Sequence, residues 1–180
     1  MPTIAAIAAT FSITANALTI SEVGGYDILI GQATLANSGE TTETNWVNSV
    51  LNTYLGITNS NVSLTTKDTS GSTNWTLASD STSGNDYYFD FGLTNQPAFY
   101  LLKFGVGISG ADTHYLFDNV ESFRYALVDF SNITDISAVT INSLSHTSEF
   151  GSAEVPEPSS LALLALGLAG VGFSRRMARK

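Results

Sequence analysis

Residues 87–91 read Tyr-Tyr-Phe-Asp-Phe, and their alternation decides the fold class. Successive side chains of an extended strand point to opposite faces. Tyr87, Phe89 and Phe91 therefore share one face, and Tyr88 and Asp90 share the other. Residues 123–129, Phe-Arg-Tyr-Ala-Leu-Val-Asp, repeat the pattern with Phe123, Tyr125, Leu127 and Asp129 on one face. Turn-forming clusters, Thr69-Ser70-Gly71-Ser72 and residues 81–85, punctuate such runs. The same criteria predict strands at Leu18–Ile20, Tyr26–Ile30, Val62–Thr66, Trp75–Ala78, Tyr87–Phe91, Ala98–Gly105, His114–Phe117, Phe123–Asp129 and Val139–Leu144. Many short strands separated by turns point to an all-β, antiparallel β-sandwich of jelly-roll or Greek-key-like type.

One segment breaks the two-residue period. In residues 44–56, TNWVNSVLNTYLG, Trp46, Val47, Val50, Leu51, Tyr54 and Leu55 recur at helical spacing. Thr44 or Asn45 is suited to cap its start and Gly56 to end it. This short helix is expected to seal one end of the sandwich. Trp46 and Tyr54 then read as core residues, with a ligand-stacking pair as the alternative.

Composition limits the function classes. The 180-residue chain has no cysteine, 13% charged residues and a net charge of -9. Residues 18–152 hold 14 of the 16 Asp and Glu but only three basic residues, Lys67, Lys103 and Arg124. An acidic body repels phosphate backbones and argues against nucleic acid as a partner. Without cysteine there is no disulfide scaffold and no thiolate zinc site.

The two ends differ from the body. Residues 1–17 carry no charge, and Ala15-Asn16-Ala17 is a small-x-small site of the kind signal peptidase cleaves. No basic residue precedes the apolar stretch, a departure from the usual signal. The expected division is a signal peptide over 1–17, a β-sandwich domain over 18–152 and a C-terminal segment over 153–180.

That last segment holds Val155-Pro156-Glu157-Pro158, an uncharged run from Ser159 to Ser174, and a basic tail of Arg175, Arg176, Arg179 and Lys180. Proline disfavours helix for itself and for the residue before it, so the tetrapeptide should be extended. The 16-residue run would span ~24 Å as a helix, near the ~30 Å of a bilayer core. It is apolar all round, which suits a transmembrane helix over 159–174. The basic tail would stay on the cytoplasmic side.

This ordered set resembles the PEP-CTERM sorting signal of Gram-negative bacteria, with Val155, Pro156, Glu157 and Pro158 as its recognition element. The resemblance implies processing by exosortase, an integral-membrane cysteine transpeptidase. An inner-membrane-anchored intermediate and a cell-surface or extracellular destination, often with exopolysaccharide, would follow. A second stretch, from Phe99-Tyr100-Leu101-Leu102-Lys103-Phe104-Gly105 to Ser143-Leu144-Ser145-His146, resembles the β-rich exported domain that such proteins carry. It implies a sandwich and assigns no catalytic residue.

Candidates for chemistry are few. A serine nucleophile needs a neighbouring base, and the chain offers only His114 and His146 and no Gly-x-Ser-x-Gly elbow. His114 reads as a strand residue and His146 as a locally bonded residue after the last strand. Two histidines 32 residues apart, with no carboxylate pattern beside them, are a poor metal site. Asp86 with Asp90, or Asp118 with Glu121, could form a glycosidase pair but also read as solvated loop acids. Calcium candidates are Asp80, Asn85 and Asp86 in one loop, with Asp112, Asp118 and Asn119 around another strand. Glycosylation-type triplets begin at Asn61, Asn74 and Asn132, as expected by chance in an Asn- and Thr-rich chain.

The expectation is an exported, non-enzymatic surface or extracellular-matrix protein, with exosortase and signal peptidase as processing partners and no required cofactor. The alternative is a carbohydrate-binding module or weak glycan hydrolase that stacks sugars on Trp75, Tyr87, Tyr88 or Tyr115.

Overall fold

A computed structural model describes residues 17–105, 111–120, 123–131, 133 and 140–151. Its elements run β1 (Ile28–Ala33), α1 (Glu40–Tyr54), β2 (Leu64–Asp68), β3 (Trp75–Leu77), β4 (Asp86–Asp90), β5 (Phe99–Phe104), β6 (His114–Asp118), β7 (Tyr125–Asp129) and β8 (Leu144–Phe150). They form two sheets, ordered β1-β6-β5-β8-β2 and β3-β4-β7. Every strand pair is antiparallel.

Alternation places the core between the sheets. Tyr100, Leu102, Phe104, Tyr115 and Phe117 of the five-stranded sheet meet Trp75, Phe89, Phe91, Ala126 and Val128 from the other side. Aromatic rings dominate this layer: Tyr100 stacks on Phe117 at 5.1 Å, and Phe91 contacts Tyr100 at 5.6 Å. In residues 123–129 the smaller side chains, Ala126 and Val128, face this core, while Tyr125 and Leu127 point to the opposite face.

The helix does not seal an end of the sandwich. It covers the outer face of the five-stranded sheet, where Val47 and Leu51 pack on Phe99, Leu101, Leu116 and Phe150. The result is three layers rather than two. It explains why β5, Phe-Tyr-Leu-Leu-Lys-Phe, lacks polar alternation: both its faces are covered. Each such fully buried Leu or Phe contributes roughly 1.5–3 kcal/mol.

Helix α1 starts six residues before Trp46, the first residue of the apolar periodicity, at Glu40, with Gly39 at the cap position rather than Thr44 or Asn45. Asn37 Oδ1 accepts from Gly39 N–H (2.9 Å) and Thr42 Oγ1 (2.9 Å), and Glu40 and Glu43 in the first turn complement the helix dipole. Its end follows the expected pattern. Gly56 takes φ +65°, and Ile57 N–H returns to Asn52 C=O at 3.0 Å, closing the last turn on a left-handed residue. Tyr54 and Leu55 are exposed, not core, and Trp46 is half-buried.

Two strand expectations fail. Residues 18–20 lead into a turn over 20–24: Glu22 Oε2 accepts from Thr19 N–H (2.8 Å) and Oγ1 (2.9 Å), while Thr19 Oγ1 accepts from Glu22 N–H (3.3 Å). That reciprocal Thr-x-x-Glu pairing nucleates a helical turn rather than a strand. Over the expected strand Val139–Leu144, Val139 lies outside the described residues, Ile141–Ser143 form a 3-10 turn, and the last described strand is Leu144–Phe150. Its polar Thr147, Ser148 and Glu149, beyond the end of the predicted strand, are all buried and paired with β2 and β5. The first predicted strand after the turn slides to residues 28–33.

Candidate functional site

The densest polar constellation lies beneath α1. Glu43 is fully buried, projected by the first helical turn onto the outer face of the five-stranded sheet. Its Oε1 lies 2.8 Å from His146 Nε2 of β8 and 3.7 Å from His114 Nε2 of β6. Its Oε2 accepts from Lys67 Nζ of β2 at 3.0 Å and from Ser148 Oγ of β8 at 3.1 Å. Lys67 also donates to Ser38 C=O at 2.8 Å, and Thr113 Oγ1 lies 2.8 Å from His114 Nδ1. Strand register sets Lys103 between His114 and His146. Three strands and the helix thus converge on one carboxylate.

Burial by itself would push the Glu43 carboxyl up. The contacts from His114, His146 and Lys67 outweigh it and hold the group well below the usual carboxylate range. An ionised carboxylate only accepts, so His146 must present Nε2–H to it. The two histidines, 32 residues apart in sequence, are brought together by this acid, and His146 bonds to a residue 103 positions away rather than locally. What the arrangement does chemically is neutralise and orient. The Lys67 ammonium already occupies Oε2, and among the described residues no group of three His, Asp or Glu is arranged to hold a metal ion.

A second, half-buried acid bridges the two sheets. Asp27 Oδ2 accepts from Leu127 N–H (2.8 Å) and from Tyr100 Oη (2.9 Å), and Oδ1 accepts from Val120 N–H (2.9 Å). Its own N–H donates to Leu127 C=O at 3.0 Å. Burial pushes the Asp27 carboxyl up to about 7, against the pull of its three donors. It borders a cleft of about 260 Å³ with Tyr26, Phe117 and Val128.

The calcium candidates are engaged by protein groups. Asp80 Oδ1 accepts from Ile20 N–H at 2.8 Å. Buried Asp86 accepts from Tyr26 Oη at 3.0 Å, Ser81 Oγ at 2.5 Å and Ser83 Oγ at 3.1 Å. Asn85 turns back to Ser83 C=O at 3.3 Å. Asp112 accepts from Thr34 Oγ1 at 3.0 Å, Asp118 from Tyr54 Oη at 2.8 Å, and Asn119 Nδ2 donates to Pro97 C=O at 2.8 Å.

Asp86 and Asp90 are not arranged as a glycosidase pair. Asp86 and Asp90 are four residues apart on β4, so their backbones are ~13 Å apart, beyond the ~5–10 Å such carboxylates need. Asp90 is gripped by Arg124 through two contacts, at 3.0 and 2.7 Å. Glu121 lies outside the described residues.

Of the four aromatic candidates, Trp75 and Tyr115 are core residues and Tyr87 packs against that core. Tyr88 lies half-buried on the outer face of the three-stranded sheet, edge-on to Tyr125 at 6.1 Å. The aromatic residue that sequence reasoning assigned wrongly is Tyr54, which is 43% exposed at the end of α1.

The signal and sorting elements, Ala15, Val155–Pro158, the run 159–174 and Arg175, Arg176, Arg179 and Lys180, lie outside the described residues. Ala17 is described and half-buried, and the next residue, Leu18, donates its N–H to Tyr88 Oη at 3.1 Å. Among the described residues no helix is long and apolar enough to cross a membrane.

The identity of the C-terminal segment rests on comparison. Residues 154–176 match the family model of the PEP-CTERM protein-sorting motif. The match takes in Pro156, Glu157, Pro158, the apolar run and Arg175-Arg176, the parts read from sequence. The chain therefore carries the signal of an exported protein that passes through a membrane-anchored intermediate and is processed by exosortase. No curated protein and no solved structure matches the chain.

Proposed function

We propose that this protein is a non-enzymatic structural component of the cell surface or extracellular matrix, associated with exopolysaccharide in a Gram-negative bacterium. The single observation that carries the reading is the sorting-motif match at residues 154–176. In this reading signal peptidase cleaves after Ala17, and the run 159–174 holds the chain in the inner membrane. Exosortase then cuts near Pro156-Glu157-Pro158 and frees the sandwich.

The body's chemistry supports a scaffold role. Its two histidines are buried against Glu43 beneath the helix. The body's acidic charge favours solubility and keeps it off other anionic surfaces.

Cell fractionation tests the reading. The body should appear in the surface or matrix fraction of wild-type cells and stay with the membrane when exosortase is deleted. A body found in the cytosol, or equally in the matrix with and without exosortase, refutes it.

A further inference from the structure

Helix α1 does not cover the five-stranded sheet to its edge. Between its last two turns and edge strand β1 lies an open groove of about 440 Å³. Its walls are Gln32 and Ile30 on one side and Ser49, Thr53 and Tyr54 on the other, with Gly31 and Val50 in contact at the floor. Glycine is needed there: a Cβ at Gly31 would stand 2.9 Å from Val50 Cγ1. The floor is thus fixed by packing.

Three features of this groove select a ligand class. First, none of its lining residues is charged, although the chain carries a net charge of -9. An anionic polymer would meet repulsion from the surrounding body, and a cation would find no counter-charge in the groove. Second, the lining alternates apolar surface with hydroxyl and amide groups, which matches a molecule that is greasy on one face and hydroxylated at its rim. Third, Tyr54 presents an exposed ring that is already fixed. Its hydroxyl donates to Asp118 Oδ2 at 2.8 Å, across β1 on strand β6. A ring held at both ends loses little freedom when a flat ligand packs on it. Leu55 and Ile57, exposed just beyond it, extend the apolar border.

We infer that the α1–β1 groove is a binding site for a neutral saccharide, with Tyr54 as the stacking platform and Ser49, Thr53 and Gln32 as hydroxyl partners. The site rests on the polymer-association reading above and gives it a location. One or two sugar rings fit the volume, so a longer polymer would run along the edge of β1.

Isothermal titration of the full-length protein with cellohexaose, laminarihexaose and xylohexaose tests the site. At least one of these should bind, and Tyr54→Ala should weaken it at least about tenfold. Ser49→Trp, an exposed helix position that would fill the groove, should do the same with an unchanged melting temperature. Tyr88→Ala, on the opposite sheet, should leave binding unchanged. If the wild-type protein binds but neither groove variant weakens it, the groove is wrong and polymer association survives. If it binds none of the three, the groove proposal is overturned. Matrix fractionation then decides the polymer-association reading separately.

Discussion

Replacing Glu43 by Gln would remove one charge and almost no volume. The carboxylate accepts from His146, Lys67 and Ser148, with His114 3.7 Å away. An amide keeps one acceptor oxygen but turns an NH2 toward one side of the cluster. If it faces Lys67 and Ser148, the hydroxyl can turn to accept from the amide, but the ammonium meets a donor where it had an acceptor. If it faces His146, the imidazole N–H loses its partner. Either way the Lys67 ammonium, whose side chain is only 19% exposed, loses its counter-charge. Removing one partner of a buried pair costs ~3–5 kcal/mol. For a domain of this size that is a fall of roughly 10–20 °C in melting temperature. Thermal and urea unfolding of Glu43→Gln, Lys67→Met and the double variant provide the assay. The double variant should recover part of the loss, because the unpaired ammonium is then gone. A loss under ~1 kcal/mol for Glu43→Gln, or strict additivity in the double variant, would refute the view that this pair anchors the helix.

Other outcomes follow from the same contacts. Because the Asp27 carboxyl is raised from 3.8 to about 7, the folded state holds its proton longer than the unfolded chain. Its contribution is present below the unfolded value and lost as pH rises through about 7. Glu43 acts oppositely: its contribution is present above the unfolded value of 4.5 and lost as pH falls toward its lowered folded value. Melting temperature should therefore rise as pH drops from about 7 to about 4.5 and fall below that, and Asp27→Asn should flatten the upper limb. Gly71→Ala should cost at least ~2 kcal/mol in urea unfolding, since Gly71 has φ +63° and a Cβ would sit 2.8 Å from Leu144 C=O. Trp75→Ala should cost ~3–5 kcal/mol as a core deletion, so any loss of ligand binding it caused would report unfolding.

The sandwich was legible because the alternation in residues 87–91 and 123–129, punctuated by turn clusters, marks pleated strands. The layering was not. A helical stripe shows that a helix packs on something, but not whether it caps an end or covers a face. The signal was present in β5, whose apolar run, interrupted only by Lys103, requires cover on both sides. Glu43 was invisible for a similar reason. It precedes the apolar stripe, and its partners lie 24, 71, 103 and 105 residues away, a grouping created only by register. The same long-range pairing hid the last strand: Thr147, Ser148 and Glu149 show no apolar pattern, and their burial comes from pairing with β2 and β5, with Trp75 bonding Thr147 and Glu43 bonding Ser148. Tyr54 failed in the other direction: helical spacing gave it a core face, but it borders the open groove between α1 and β1 and stays exposed. The C-terminal segment was the most legible part, since its recognition depends on local order along the chain, not on packing.

The central claim is that this protein is an exosortase substrate. Intact-mass measurement of the exported protein, from host cells with exosortase and from cells lacking it, tests it most directly. The account predicts loss of the basic tail and the apolar run, with a new C-terminus near Pro156-Glu157-Pro158, only when exosortase is present. A chain that still ends at Lys180 in both strains, or is trimmed identically in both, would contradict it.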